Sequence, residues 1–281
     1  MTRRLILPTI SGEEAQQSIV EGIVSTRPFM AARLGSVEAK AVMYSILPYP
    51  ISKLLLKNYV YNHIGNNAGF FPVNDRALDQ FAKLMIKAMG EVDVLASWRI
   101  EEICFQKNLK QAKRISLSDL GPIDRPSFWS GALVGKRVLV VHPFAETIKW
   151  QYENNREYLF CNKQVLPEFA SLKIVKAVQS VAGSETEYYS WFEALQRMED
   201  EIDKCEFDVA LIGCGAYGFP LAAHIKRMGK KAIHIGGALQ LFFGIRGKRW
   251  DNCGLYNEYW TSPTDSERPA DANRVEGACY W

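Results

Sequence analysis

The sequence predicts an α/β protein: a doubly wound, mostly parallel sheet with helices on both faces, Rossmann-like in its order of elements. Three observations carry this. Lys136–Val141 and Phe207–Ile212 are short, near-continuous apolar runs, as expected of strands buried on both faces. From residue 136 onward such strands alternate with helical stretches, the pattern of a parallel sheet. A chain of 281 residues, 48% hydrophobic and 12% aromatic, can bury a full-sized core and is not disordered.

Taken in order, Gly12–Val24 reads as a helix, with Ser11 as its N-cap and Ile19, Ile23 and Val24 on its apolar side. A strand, Phe29–Leu34, turns at Gly35-Ser36 into a helix over Val37–Leu47. Ser52–Tyr61 looks helical, and the Asn- and Gly-rich His63–Gly69 looks like a loop. A helix over Asp75–Met89, a strand over Val92–Ala96 and a helix running to Gln111 follow. Residues 116–135 hold two prolines and several turn formers and read as a linker or crossover. Beyond the strand ending at Val141 come a polar helix (Glu146–Phe160), a strand (Leu172–Val178) and a helix (Trp191–Lys204). After the strand ending at Ile212 come a helix (Phe219–Met228) and a last strand (Lys231–Ile235). The expected organisation is one domain over 1–281, divisible into lobes at 1–115 and 136–250 with an irregular tail over 251–281.

Composition narrows the function. The formal charge of +3, from 34 Lys and Arg against 31 Asp and Glu, is too balanced for a nucleic-acid binder. No apolar run reaches the roughly 18–20 residues of a membrane span. The apolar stretch within Met1–Pro8 is too short for a signal peptide, so a cytoplasmic protein is expected. Six cysteines without a C-x-x-C pair read as buried reduced thiols. Four dispersed histidines argue against a preassembled zinc site.

Ligands of a parallel sheet bind beyond the carboxyl ends of its strands, where helix N-termini attract anions. Four such ends carry candidate residues. Gly213-Cys-Gly-Ala-Tyr-Gly218 satisfies G-x-G-x-x-G, so Gly213, Gly215 and Gly218 either let backbone approach a pyrophosphate or simply make a tight turn. A dinucleotide fold wants an acid about 20 positions later; His234 stands there, which disfavours NAD. In Ala32-Arg-Leu-Gly-Ser-Val-Glu38, Arg33 ends a small apolar strand, Gly35 and Ser36 make the turn, and Glu38 opens a helix whose dipole it complements. His142 and Glu146 could meet across Val141-His-Pro-Phe-Ala-Glu146 as an acid–base or metal-ligand pair, or His142 could be structural. Trp150, Gln151, Asn154, Asn155 and Arg156 suit a sugar or base, or a solvated helix face. Gly236 and the cations Arg246, Lys248 and Arg249 follow the last strand and could grip phosphate.

Two of these segments together resemble the GT-D-type glycosyltransferases. Arg33-Leu-Gly-Ser-Val-Glu38 resembles the family's R-x-G-D-G-E, whose D-x-E holds a divalent metal against a nucleotide-sugar diphosphate. Asp208–Ala222 with Met228–Gly236 resembles the family's late strand, glycine loop, helix and strand. Ser36 replaces the first acid of D-x-E, and Gly237 stands where the family's Asp-Ile-Gly-His ends in His. The resemblance implies transfer of a sugar from a nucleotide-sugar, a UDP-sugar foremost, to a glycan acceptor in bacterial surface-polysaccharide or glycoconjugate assembly.

It further implies that Arg33, Gly35, Ser36, Gly213, Gly215, Gly218, Gly236, Arg246, Lys248 and Arg249 bind the donor. Catalysis would fall to His142, Glu146 or Glu38, with Glu38 as a residual ligand for Mn2+ or Mg2+ unless the basic cluster replaces the metal. The alternatives are a non-catalytic GT-D-like subunit that binds a nucleotide or a partner glycosyltransferase, and an NAD-dependent oxidoreductase. The glycine substitution Gly215→Val is expected to abolish nucleotide binding while sparing the fold.

Overall fold

In the computed structural model, residues 8–121 and 129–281 are described. The reading of Met1–Leu7 and the centre of the expected linker, residues 122–128, lie outside them. Seven strands form one sheet: β1 (Phe29–Ala32), β2 (Val94–Ser97), β3 (Lys113–Ser116), β4 (Arg137–His142), β5 (Ser171–Lys176), β6 (Val209–Ile212) and β7 (Lys231–His234). Their spatial order is β3-β2-β1-β7-β6-β4-β5, and every pairing is parallel. Because β1 pairs with β7, the chain before residue 115 and the chain after 136 share this sheet.

Along each central strand successive side chains enter opposite cores, as period-two geometry requires. Met30 and Ala32, Leu139 and Val141, and Ala210 and Ile212 face one core. Phe29 and Ala31, Val138 and Val140, and Val209 and Leu211 face the other. The first core is covered by α2 (Ser36–Ile46), α3 (Ile51–Ala68), α4 (Asp75–Met89), α7 (Trp191–Asp203) and α8 (Gly218–Arg227). The second is covered by α1 (Glu13–Val24), α6 (Ala145–Leu159), α9 (Leu239–Phe242) and the aromatic tail. At Gly22 of α1 a β-carbon would lie 2.4 Å from the Phe29 ring, so glycine is what allows this close packing.

Three local expectations are corrected. His63–Ala68 is not a loop but the end of α3: Val60, Ile64 and Ala68 are buried at four-residue spacing, and Gly69 closes the helix at φ 76°. Burial of that face outweighs the weak helix propensity of Asn and Gly. The helix expected to run to Gln111 is a 3-10 segment, Ile100–Phe105, because Glu102 folds back to accept from the backbone N–H groups of Trp98 (3.0 Å) and Arg99 (3.1 Å). At the start of the expected linker lies the edge strand β3, too polar to stand out, and the linker itself holds the helical turn α5 (Leu117–Leu120) and a 3-10 turn over Trp129–Leu133.

All six cysteines are free, but only Cys214 and Cys279 are buried; Cys104, Cys161 and Cys253 are exposed and Cys205 is half-buried. Among the described residues, no helix is long and apolar enough to cross a membrane.

Candidate functional site

A cavity of about 550 Å³ opens at the carboxyl edge of the sheet, and every strand end contributes to its wall. Parallel topology brings these junctions together, so residues far apart in sequence converge there.

From β1 come Arg33, Gly35, Ser36 and Glu38. The Arg33 guanidinium lies 4.7 Å from the centre of the Trp98 ring, and Trp98 Nε1 donates to the Leu34 carbonyl at 2.8 Å. Burial lowers the pKa of Arg33 while Glu38 pulls it upward. Burial likewise raises Glu38, with Arg33 opposing. The Glu38 carboxylate folds back over the N-terminus of α2, where a β-carbon on Gly35 would collide with it at 1.9 Å. A side chain at position 35 would force the Glu38 carboxylate out of this position.

The end of β2 supplies Trp98 and Arg99, which the sequence reading passed over although they directly follow an apolar strand. Arg99 reaches Glu101 through two hydrogen bonds, at 2.8 and 3.1 Å. Glu102, fully buried, holds the turn in place and pairs with Arg114 at 2.9 Å.

His142 ends β4 inside the cavity wall, and burial pushes its pKa down to about 3. Its Nδ1 accepts from the Phe144 backbone N–H at 3.0 Å, so the neutral ring carries its proton on Nε2 and acts as a donor. The expected pair with Glu146 does not form. Glu146 lies on the solvent side of α6, 3.4 Å from Lys176 Nζ, and is absent from the cavity wall. The helix N-terminus it opens is occupied by the buried Glu267 carboxylate, which accepts from Glu146 N at 2.8 Å and Thr147 N at 3.2 Å. A carboxylate of the chain itself thus caps α6, and an anionic ligand must bind elsewhere.

The glycine loop after β6 is shaped largely by protein. A β-carbon on Gly213 would lie 2.6 Å from the Gly236 carbonyl. Gly215 has φ +56° and approaches the Ala68 carbonyl, with a β-carbon there at 2.9 Å. Gly218 packs on the His234 ring and does not line the cavity, whereas Gly213, Cys214, Gly215 and Tyr217 do. The tight-turn alternative accounts for Gly218 and much of Gly215. His234 is itself buried and pushed down to about 3 by burial and by Arg33. Where a dinucleotide fold needs a ribose-gripping acid, β7 therefore ends in a neutral ring.

Gly236 lines the cavity against Arg33, and Gly237 makes room for the Tyr280 ring. Of the expected basic cluster, only Arg249 reaches the cavity. Arg246 donates to the Asn257 carbonyl at 3.2 Å and Lys248 to the Gly277 carbonyl at 3.3 Å, both on the exposed side; the 3-10 turn over Lys248–Trp250 separates Lys248 from Arg249. Arg249 pairs with Glu276 and donates to the Tyr280 hydroxyl at 3.1 Å. Burial works against its charge, yet Tyr280, Cys279 and Glu276 hold its pKa above the ordinary value.

The run from Trp150 to Arg156 lies outside the cavity wall, with Trp150 exposed. Gln151 and Asn155 donate to the Gly244 and Tyr259 carbonyls, and Arg156 pairs with Glu157. The tail residues Glu276, Tyr280 and Trp281, which the sequence reading left without a role, form part of the cavity wall.

Among the described residues, no group of three or more His, Cys, Asp or Glu side chains could hold a metal ion. Glu38 faces a guanidinium and Glu276 is paired with another, so this donor set does not suit a hard divalent cation, which collects oxygen ligands.

Residues 123–242 match the family described as GT-D fold-like domain. The whole chain is also similar to a solved structure described as "selenomethionine substituted structure of domain of unknown function 1792 (DUF1792)". The likeness covers 95% of this chain and 94% of that one at 12% identity, with a TM-score of 0.50, and speaks for the fold. No curated protein sequence matches the chain. The segment carrying β4 through α9 thus matches the GT-D fold-like domain, and the likeness over nearly the whole chain supports the same kind of parallel α/β fold.

Proposed function

We propose that the cavity binds a nucleotide-sugar, a UDP-sugar foremost, and that the protein transfers the sugar to a glycan acceptor in surface-polysaccharide or glycoconjugate assembly. The observation that carries this reading is the convergence of Arg33, Arg249 and the Gly213–Gly215 backbone on one strand-end cavity beside the Trp98 ring.

Sugar transfer breaks the bond between the anomeric carbon and a diphosphate oxygen, and the electron pair stays on the diphosphate. Stabilising that charge is the main task of the site. Arg33 and Arg249 supply fixed positive charge, and His142 donates from Nε2 without needing to be protonated. Glu38, whose proton affinity burial raises, takes the proton of the acceptor hydroxyl as the new bond forms. No step passes through a metal ion.

Calorimetry with UDP, GDP, CMP and NAD, with and without manganese, tests the binding half, and release of nucleoside diphosphate on addition of acceptor tests the transfer. Failure of every nucleotide to bind overturns the proposal. Binding without turnover favours a non-catalytic subunit, a reading to which the Glu276–Arg249 pair and the electrostatic hold of Arg33 on Glu38 lend support. Selective binding of NAD would favour the oxidoreductase.

A further inference from the structure

We propose that the surface made by the end of α2, the Pro48–Pro50 turn and the first half of α3 docks on an anionic lipid surface. Ile46, Tyr49, Ile51, Leu54 and Leu55 are all solvent-exposed, Leu54 at 83%, Tyr49 at 77% and Leu55 at 68%. These five large apolar side chains fall within ten consecutive residues, whereas the other exposed ones are scattered along the chain. Scattered exposure needs no explanation; a contiguous exposed patch marks a binding surface.

The reason they are exposed lies in α3. Its buried side is Ser52, Val60, Ile64 and Ala68, so in its first two turns only Ser52, with help from Leu56, reaches the core. Ile51, Leu54 and Leu55 point away from it. Nothing inside the described fold covers them.

Charge selects the occupant. Between Glu38 and Asp75 the sequence contains no acidic residue, while it contains Lys40, Lys53 and Lys57. Lys57 is exposed beside the patch, whereas Lys53 is shared with Asp75 at 2.8 Å and Lys40 with Glu101 at 4.0 Å. Exposed apolar side chains, a tyrosine among them, flanked by Lys57 and by the Lys53–Asp75 pair, match an interface of acyl chains beneath anionic headgroups. A two-fold contact with a second copy would instead bring the two sets of lysines face to face.

The surface is separate from the cavity. Ser36, at the start of α2, and Ala68, at the end of α3, line the cavity, so both helices lead away from it to the patch. The 18 residues of α3 span about 27 Å at 1.5 Å per residue. Docking there leaves the cavity free and does not depend on what the cavity binds.

The test is co-sedimentation of the full chain with vesicles of phosphatidylcholine alone or mixed with phosphatidylglycerol. Binding to the anionic vesicles, with at least about a fivefold loss in the double variant Leu54→Glu/Leu55→Glu, is expected. Lys57→Glu should weaken binding too, and added salt of about 0.5 M should do the same by screening. Circular dichroism checks that the variants fold; should the double variant unfold, Tyr49→Ser supplies the same readout. Three results overturn the proposal: no vesicle binding, equal binding to neutral and anionic vesicles, or binding that survives all these substitutions. Self-association of the wild type that the double variant abolishes, without vesicle binding, would also overturn it and assign the patch to a second copy.

Discussion

Tyr280 lays its ring against the bare backbone of Gly237, where a β-carbon would stand only 2.3 Å from Cε1. The position at which the resembled family carries a histidine is thus filled from the C-terminal tail. Tyr280 is tied down at both ends: its carbonyl accepts from Gln240 at 3.0 Å and its hydroxyl from Arg249 at 3.1 Å. A ring so held cannot step aside cheaply.

Gly237→Ala should therefore destabilise the protein by about 1–3 kcal/mol, the usual cost of overpacking. Thermal unfolding measures it. Tyr280→Phe keeps the ring and removes the hydroxyl, so it should leave the melting temperature nearly unchanged while loosening Arg249. An unchanged melting temperature in Gly237→Ala would show that the tail yields.

The glycine loop gives a second prediction, opposite to the one drawn from the motif. Gly215→Val places a branched side chain at φ +56° against the Ala68 carbonyl, which is backbone and cannot rotate away. A loss of about 1–3 kcal/mol from the backbone conformation alone is expected. Gly215→Ala should already lower the urea midpoint. A folded, fully stable valine variant that merely fails to bind nucleotide would restore the pyrophosphate reading.

These two positions show what the sequence could convey. The apolar runs at 138–141 and 209–212 announce central strands because burial on both faces leaves no room for polar residues. Strand ends then follow, which is how Arg33, Glu38, His142, Gly213 and Gly236 came to be read as neighbours. Edge strand β3 carries no such signal, because only Ile115 of its four residues is buried. Side-chain direction also escaped: Lys248-Arg249 are adjacent in sequence, yet a 3-10 turn sends them to different surfaces. Tyr280 and Glu267 could not be read at all, since their roles depend on where an irregular tail crosses the sheet edge.

Stability should depend on pH through the two buried histidines. His142 and His234 are neutral in the folded protein, with burial pushing each to about 3. In the unfolded chain they take up protons near the ordinary value of about 6.5. Between these limits the unfolded state binds more protons, so stability rises with pH and levels off above about 6.5. Each histidine contributes a slope of up to about 1.4 kcal/mol per pH unit. Glu38, raised by burial, works in the opposite sense above its unfolded pKa. Urea unfolding between pH 4.5 and 7.5, a range chosen to sit above most carboxylate titration, measures the balance. His142→Gln should flatten the slope; an unchanged slope would mean the ring is solvated.

The last prediction separates the cations that the sequence grouped together. Arg249 lines the cavity and is held charged there, whereas Arg246 and Lys248 bond to tail carbonyls on the exposed side. If the cavity holds a nucleoside diphosphate, Arg249→Ala removes a charge-assisted hydrogen bond of about 1.5–3 kcal/mol and weakens UDP binding roughly ten- to hundredfold. Arg246→Ala should leave the affinity within about twofold, because a screened exposed charge contributes little. EDTA should have no effect, because the glutamates of the cavity face arginines rather than each other. Calorimetry with UDP reads all three. Equal losses in Arg246→Ala and Arg249→Ala would mean that nucleotide binds on the outer surface of the tail. Binding that vanishes with EDTA and returns with manganese would mean that Glu38 leaves Arg33 for a cation when the nucleotide arrives. Glu38→Gln, which keeps the shape and removes the charge, would then abolish the manganese dependence.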